Sequence, residues 1–246
     1  MDRLTGIHAV REALESGRAL ERIVIARGRH GDRMEEIVTR ARERGVPVRF
    51  EDRVQLDHLA GGSQHQGIVA VAAAKLATGF EDLLRSASQQ TQPGMIVLLD
   101  GVEDPHNLGA ILRSALAAGA AGVVVPERRA AGLGDTVARS AAGALEHMPV
   151  ARVVNLARAM EELKQTGYWL VGLDERAERN ISDVDLTGPI GLVLGGEGGG
   201  LHDLVRKRCD FVASIPTTGP VRSLNVSVAA GIVLFEAVRQ RLAKNR

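Results

Sequence analysis

The chain has 246 residues, 45% hydrophobic and 25% charged, with a formal net charge of +1. That length holds one large or two small domains, and the composition is ordinary for a soluble globular protein. No apolar run reaches the ~18 residues that span a bilayer, Met1–Thr5 lacks a signal core, and the single cysteine, Cys209, excludes an internal disulfide and a Cys-based metal cluster. A cytoplasmic protein with no membrane contact and no metal is expected.

Aromatic residues make up only 2% of the chain, too few for a sheet that stacks bases, so any RNA contact is expected to run through phosphate, sugar and shape. Charge is unevenly spread. Arg22, Arg27, Arg29, Arg33, Arg40, Arg42, Arg44 and Arg49 crowd one stretch. Planar guanidinium groups suit phosphate, but Asp32, Glu35, Glu36 and Glu43 are interleaved, and a solvated helix face with i,i+4 pairs fits equally well.

The patterning predicts a small α/β unit over residues 1–75: a helix at Gly6–Ser16, a strand at Arg22–Ala26, a helix from Asp32 to Arg44, a strand at Val46–Phe50, a helix at Val54–Ala60 broken by Gly61-Gly62-Ser63, and a buried strand at Gly67–Ala74. Residues 76–93 are polar and read as a linker, with a short helix at Phe80–Leu84. From 94 to 246 strands and helices alternate. Strands are predicted at Met95–Leu99, Val123–Val125, Val150–Val154, Tyr168–Leu173, Ile190–Leu194 and Phe211–Ile215. The helices are Leu108–Ala118, Asp135–Leu145, Leu156–Gln165, Leu201–Arg208 and a closing Val226–Leu242. Such alternation predicts a mostly parallel sheet with helices on both faces.

Three segments follow the C-terminal ends of predicted strands, where ligands bind in open α/β sheets. The first runs from Asp100 through Asp104, Pro105, Asn107 and Gly109 to Arg113. Pro105 keeps the helix from starting before it, and Asn107 is a good cap. Arg113 falls among Ala110, Ile111, Leu112, Ala115 and Leu116, where a charge needs a partner. The second is Gly195-Gly196-Glu197-Gly198-Gly199-Gly200, which lets the backbone approach a ligand closely but matches neither dinucleotide nor P-loop fingerprints. The third runs from Ile215-Pro216 through Arg222, Ser223, Leu224, Asn225 and Ser227 into the last helix, with Ser223 and Asn225 either capping that helix or presenting its N-terminus to a ligand. A serine triad lacks its G-x-S-x-G elbow, and His65, His106, His147 and His202 read as structural.

Together the three segments resemble the signature motifs of the SpoU (TrmH-like) branch of the SPOUT superfamily of RNA 2′-O-methyltransferases: D-x-x-x-D-P-x-N-x-G…R, G-x-E-x-x-G and I-P-(x)n-S-L-N-V-S/A-x-A. The glycines at 196 and 199 make the second richer in glycine than the family pattern. Thr5–Val10 and His65–Ile68 resemble the L30e-like substrate domain of the rRNA-modifying members, and the tail Gly231–Arg241 is similar to theirs. The resemblance implies an α/β fold with a deep trefoil knot in residues 94–246 behind an L30e-like domain. It implies S-adenosylmethionine held near Gly195, Gly196, Ile215, Leu224 and Asn225, and catalysis by Arg113 with Asn107, Glu197, Ser223 and Asn225. A homodimer acting on a guanosine of 23S rRNA, free or in a ribosome-assembly intermediate, is implied as well. Because a guanidinium stays charged at neutral pH, Arg113 is expected to stabilise the 2′-alkoxide rather than act as a base. Three alternatives stand beside this: a tRNA ribose methyltransferase, a non-catalytic L30e-like RNA-binding protein, and an oxidoreductase that would need the missing dinucleotide fingerprint.

Overall fold

The computed structural model describes every residue except Ser63, Arg222, Asn245 and Arg246, so Ser63 of the expected helix break and Arg222 of the third segment lie outside the described residues. The chain forms two compact units, Met1–Leu76 with Leu133–His147, and Ala77–Gly132 with Met148–Arg246.

The first unit opens with β1 (Asp2–Thr5), α1 (Ile7–Glu15), β2 (Leu20–Ala26), α2 (Asp32–Glu43), β3 (Val48–Glu51), α3 (Arg53–Ala60) and β4 (Ile68–Ala72). Its sheet order is β1-β4-β2-β3, with β2 and β3 parallel and the other pairs antiparallel. β4 is buried along its whole length, which explains its unbroken apolar run. α1 buries Ala9, Val10, Ala13 and Leu14, and α2 buries Met34, Ile37 and Ala41, each a single apolar stripe. β1 carries Asp2 and Arg3 and gives no strand signal by itself; its pairing with β4, Leu4 opposite Ala70, creates it.

The chain continues with α4 (Phe80–Ser88), β5 (Met95–Asp100), α5 (Pro105–Ala117) and β6 (Gly122–Pro126) in the second unit. Much of the expected linker 76–93 is therefore structured: Leu83 and Ala87 of α4 join the core of this unit. The Leu133–His147 segment, counted with the first unit, carries α6 (Asp135–Ser140) and α7 (Ala144–His147) where one helix was expected. Ala142 and Gly143 break it with φ of 48° and 91°. A Cβ on Gly143 would lie 2.3 Å from Glu12 Cγ, so a glycine is needed there. Arg18, its side chain 6% exposed, bridges Asp2 and the buried Glu146, and His147 Nε2 lies 2.9 Å from Glu12 Oε2.

The second unit resumes with β7 (Val150–Val153), α8 (Leu156–Gln165), β8 (Trp169–Leu173), β9 (Ile190–Gly195), α9 (Asp203–Arg208), β10 (Phe211–Ala213) and α10 (Val226–Lys244). Its six strands lie in the order β10-β8-β9-β5-β6-β7, and every pair is parallel. Ile96 and Leu98 of β5 pack with Leu83, Leu156, Met160 and Leu163 on one face. α5 and α10 pack against each other. The chain leaves β5 towards β6 on one side while β9 lies on the other, and this reversal places a crevice at the C-terminal ends of β5 and β9. No described helix is long and apolar enough to cross a membrane.

Candidate active site

The register of the central strands sets the site. Asp100, the last residue of β5, lies opposite Gly195, the last of β9, so the first and second segments leave the sheet side by side. Gly196 N donates to the Asp100 carbonyl at 2.8 Å. A Cβ on Gly196 would lie 2.0 Å from Gly101 O, and one on Gly195 would lie 2.0 Å from Gly200 C, so no side chain fits at either place. The Asp100 carboxylate accepts from His202 N at 2.8 Å and lies 3.0 Å from His202 Nδ1, closing the far end of the glycine loop. Asp100 thus holds both ends of the loop that carries Glu197. Neither Asp100 nor His202 was expected in this role; the available signal was a carboxylate ending a wholly apolar strand, which is buried and must find donors.

α5 begins three residues earlier than a cap at Asn107 would require. Asp104 is the cap, accepting from His106 N at 2.9 Å, and Pro105 occupies the first helical position. The Asn107 side chain is thereby free for another task. Buried in the first turn, it donates Nδ2 to Glu197 Oε1 at 2.6 Å. Asn225 completes the cluster, donating Nδ2 to Asn107 Oδ1 at 3.0 Å and to Glu197 Oε1 at 3.1 Å. Asn225 also caps α10, its Oδ1 accepting from Ser227 N at 2.9 Å and Ser227 Oγ at 2.6 Å. The cap is therefore Asn225 rather than Ser223. Both amides turn their NH2 groups to Glu197 Oε1, and one residue from each of the three segments is fixed against the others.

The other anticipated residues are not joined to this cluster by hydrogen bonds. Arg113 is exposed on α5 and makes no hydrogen bond or ion pair with a described residue, contrary to the partner expected from its apolar neighbours. The helical turn explains this: Ile111, Leu112 and Ala115 point inward while Arg113 and Leu116 point out. Ser223 and Leu224 are exposed in the segment before α10. Ile215 and Pro216 line a cleft of about 460 Å³ with Ile181, Ile232 and Phe235. Cys209 is no nucleophile: burial pushes its thiol up to about 12, and Sγ lies 3.4 Å from Val205 O.

Parallel strands whose C-terminal loops converge on a carboxylate held by two amides define an α/β unit with a candidate ligand site at the edge of its sheet. Residues 94–235 match the SpoU rRNA Methylase family, and residues 3–76 match the RNA 2′-O ribose methyltransferase substrate-binding family. The chain belongs to the SpoU family of RNA methylases. It is 44% identical to the 23S rRNA (guanosine-2′-O-)-methyltransferase RlmB of Xanthomonas campestris, over 97% of this chain and 96% of that one. It is also 44% identical to RlmB of Pseudomonas putida, over 99% and 98%. Its fold is similar to the crystal structure of the SpoU methyltransferase AviRb from Streptomyces viridochromogenes in complex with the cofactor AdoMet, with a TM-score of 0.82, 30% identity, and coverage of 98% of this chain and 90% of that one.

Proposed function

We propose that this protein transfers a methyl group from S-adenosylmethionine to the ribose 2′-oxygen of a guanosine in 23S rRNA. The observation that carries this reading is the Asn107–Glu197–Asn225 cluster, which ties together three loops at the sheet's ligand-binding edge. The substrate follows from relatives named as 23S rRNA guanosine-2′-O-methyltransferases over nearly their whole length. The donor follows from a structural neighbour bound to AdoMet.

The residues present fit that donor. The cleft lined by Ile215 and Pro216 falls in the size range of small-molecule sites, and the glycines at 195 and 196 let the second segment fold tightly against Gly200 and Gly101. Gly195, Gly196, Ile215, Leu224 and Asn225 would hold it. When bound, it supplies an already activated methyl on a sulfonium. The chain's own task is then placement, which contributes roughly 7–11 kcal/mol in well-oriented reactions. Asn107, Glu197, Asn225 and Ser223 position the groups, and the Arg113 guanidinium stabilises the developing 2′-alkoxide while the 2′ proton passes to water; the C–O bond would form as the donor's S–CH3 bond breaks, leaving the neutral thioether.

The protein works in the cytoplasm as a homodimer, on rRNA or a ribosome-assembly intermediate. Leu116 on α5 and Val228, Ile232 and Phe235 on α10 are all exposed, and the α10 residues recur at i, i+4 and i+7 as one apolar row. Arg113 shares the exposed face of α5 with Leu116, three residues on, and a second subunit covering the apolar row would enclose it. The catalytic unit carries the family's deep trefoil knot, and residues 1–75 act as an L30e-like substrate-binding domain. Arg29, Arg33, Arg42 and Arg49 there are exposed and make no ion pair with a described residue, which suits them to RNA phosphates.

Ribose-methylation mapping of total RNA from cells with and without the protein tests the assignment. One 23S guanosine that loses its 2′-O-methyl group supports it, and a tRNA position instead supports the tRNA reading. Absence of S-adenosylmethionine binding by calorimetry would favour a non-catalytic RNA-binding protein.

A further inference from the structure

A second concavity in the catalytic unit, of about 380 Å³, is lined by Glu103, Pro105, Arg129, Ala130, Ala131 and Gly132. It stands beside the first turn of α5. Pro105 begins that helix, so a rise of ~1.5 Å per residue puts it about 3 Å along the axis from Asn107. Its other wall is a strap, residues 127–132. Arg152 Nη2 donates to Glu127 O at 2.8 Å, and Glu127 N donates to Val153 O at 2.9 Å. Further along, Ala131 N donates to Val102 O at 3.1 Å and ties the strap to the segment that contains Glu103. Between these anchors Arg129 adopts a φ of 58°. A non-glycine residue rarely takes that conformation, and it persists only where the surroundings enforce it. Neither the Glu103 carboxylate nor the Arg129 guanidinium makes a hydrogen bond or ion pair with any described residue, each other included. Two opposite charges are thus presented on a small, partly apolar pocket without neutralising one another.

We infer that this pocket holds the base of the methylated nucleotide and selects guanine. The inference rests on the ribose-methylation reading above, since a base lies one bond from the ribose that must reach Asn107's neighbourhood. Guanine is the base whose Watson–Crick edge offers two adjacent donors, N1–H and the N2 amino group, and a carboxylate accepts both. Its other edge offers O6 and N7, the pair of acceptors a guanidinium fork matches. Adenine would turn the lone pair of N1 towards Glu103, and cytosine would do the same with N3. Pro105, Ala130 and Ala131 supply apolar surface for the ring faces in a chain short of aromatic residues. Nucleic-acid enzymes that take a nucleotide out of its stack read it in this manner.

Base analogues test the pocket. Full-length 23S rRNA is assembled by splinted ligation with guanosine, inosine or 7-deazaguanosine at the mapped position, and kcat/KM for methylation is compared. The wild-type protein should prefer guanosine over inosine, which lacks the N2 amino group, by about tenfold or more. Glu103→Ala should bring that ratio close to one, and isosteric Glu103→Gln should shrink it with the fold kept. Arg129→Ala should become indifferent to loss of N7 while the wild-type protein is not. S-adenosylmethionine affinity should stay unchanged in all three variants. Wild-type base ratios in active Glu103 and Arg129 variants would overturn the pocket and leave the methyltransferase reading intact. Failure of the wild-type protein to methylate the guanosine RNA would overturn both.

Discussion

Asn107 and Glu197, ninety positions apart in the chain, share a hydrogen bond of 2.6 Å that ties the first segment to the second. It joins the first turn of a helix to the middle of a glycine loop. Asn225 then locks the start of α10 onto both.

Loss of this contact should impair transfer more than folding. Asn107→Ala is expected to lower the single-turnover methyl-transfer rate by about 10²-fold, the cost of a small misplacement of reacting groups. Asn107→Asp should be worse, because it sets a second carboxylate against Glu197. Rapid-quench measurements with saturating donor and RNA check both.

Arg113 should show a demand for charge and for shape. Arg113→Ala is expected to reduce the single-turnover rate by about 10²–10³-fold, in line with the loss of one donor to a developing oxyanion. Arg113→Lys should recover only part of it, because an ammonium lacks the planar fork. A near-normal rate for the lysine variant would remove the need for that fork, and a near-normal rate for the alanine variant would make the residue structural.

The arrangement was legible in the sequence only in part, and the reasons are physical. β5 and β9 announce themselves because buried parallel strands must be apolar throughout, and the three ligand segments stand out because glycine, proline and asparagine clusters interrupt that pattern at strand ends. The role of Asn107 was obscured by its capping chemistry, which Asp104 performs instead. Arg113 looked embedded because its neighbours in sequence are apolar, whereas the helix turns it outward. The affiliation of 133–147 was invisible, since it rests on contacts such as Arg18 with Glu146, 128 positions away. Glu103 and Arg129 share a pocket only because the strap folds back on the first segment.

Arg29 and Arg33 are expected to contact RNA phosphates. Replacing each by alanine should weaken binding similarly for all RNA sequences. Each replacement should also reduce the slope of log affinity against log salt by nearly one. Filter binding of 23S rRNA fragments between low and moderate salt reads both quantities, and an unchanged slope would place the contacts elsewhere.

Arg18 anchors the first unit. Its removal leaves Glu146 buried without its main partner, so Arg18→Ala should destabilise that unit by about 3–5 kcal/mol. Replacing Arg18 and Glu146 together by Met and Leu should recover much of the loss. Urea denaturation followed by circular dichroism distinguishes the two.

The most direct test is the chemical identity of the product. Purified protein, isotopically labelled S-adenosylmethionine and unmodified 23S rRNA are incubated, and the RNA is digested to nucleosides for mass spectrometry. The label should appear in 2′-O-methylguanosine, at one equivalent per rRNA, and should vanish with Glu197→Ala. Label in a methylated base, or in no nucleoside at all, would contradict the account.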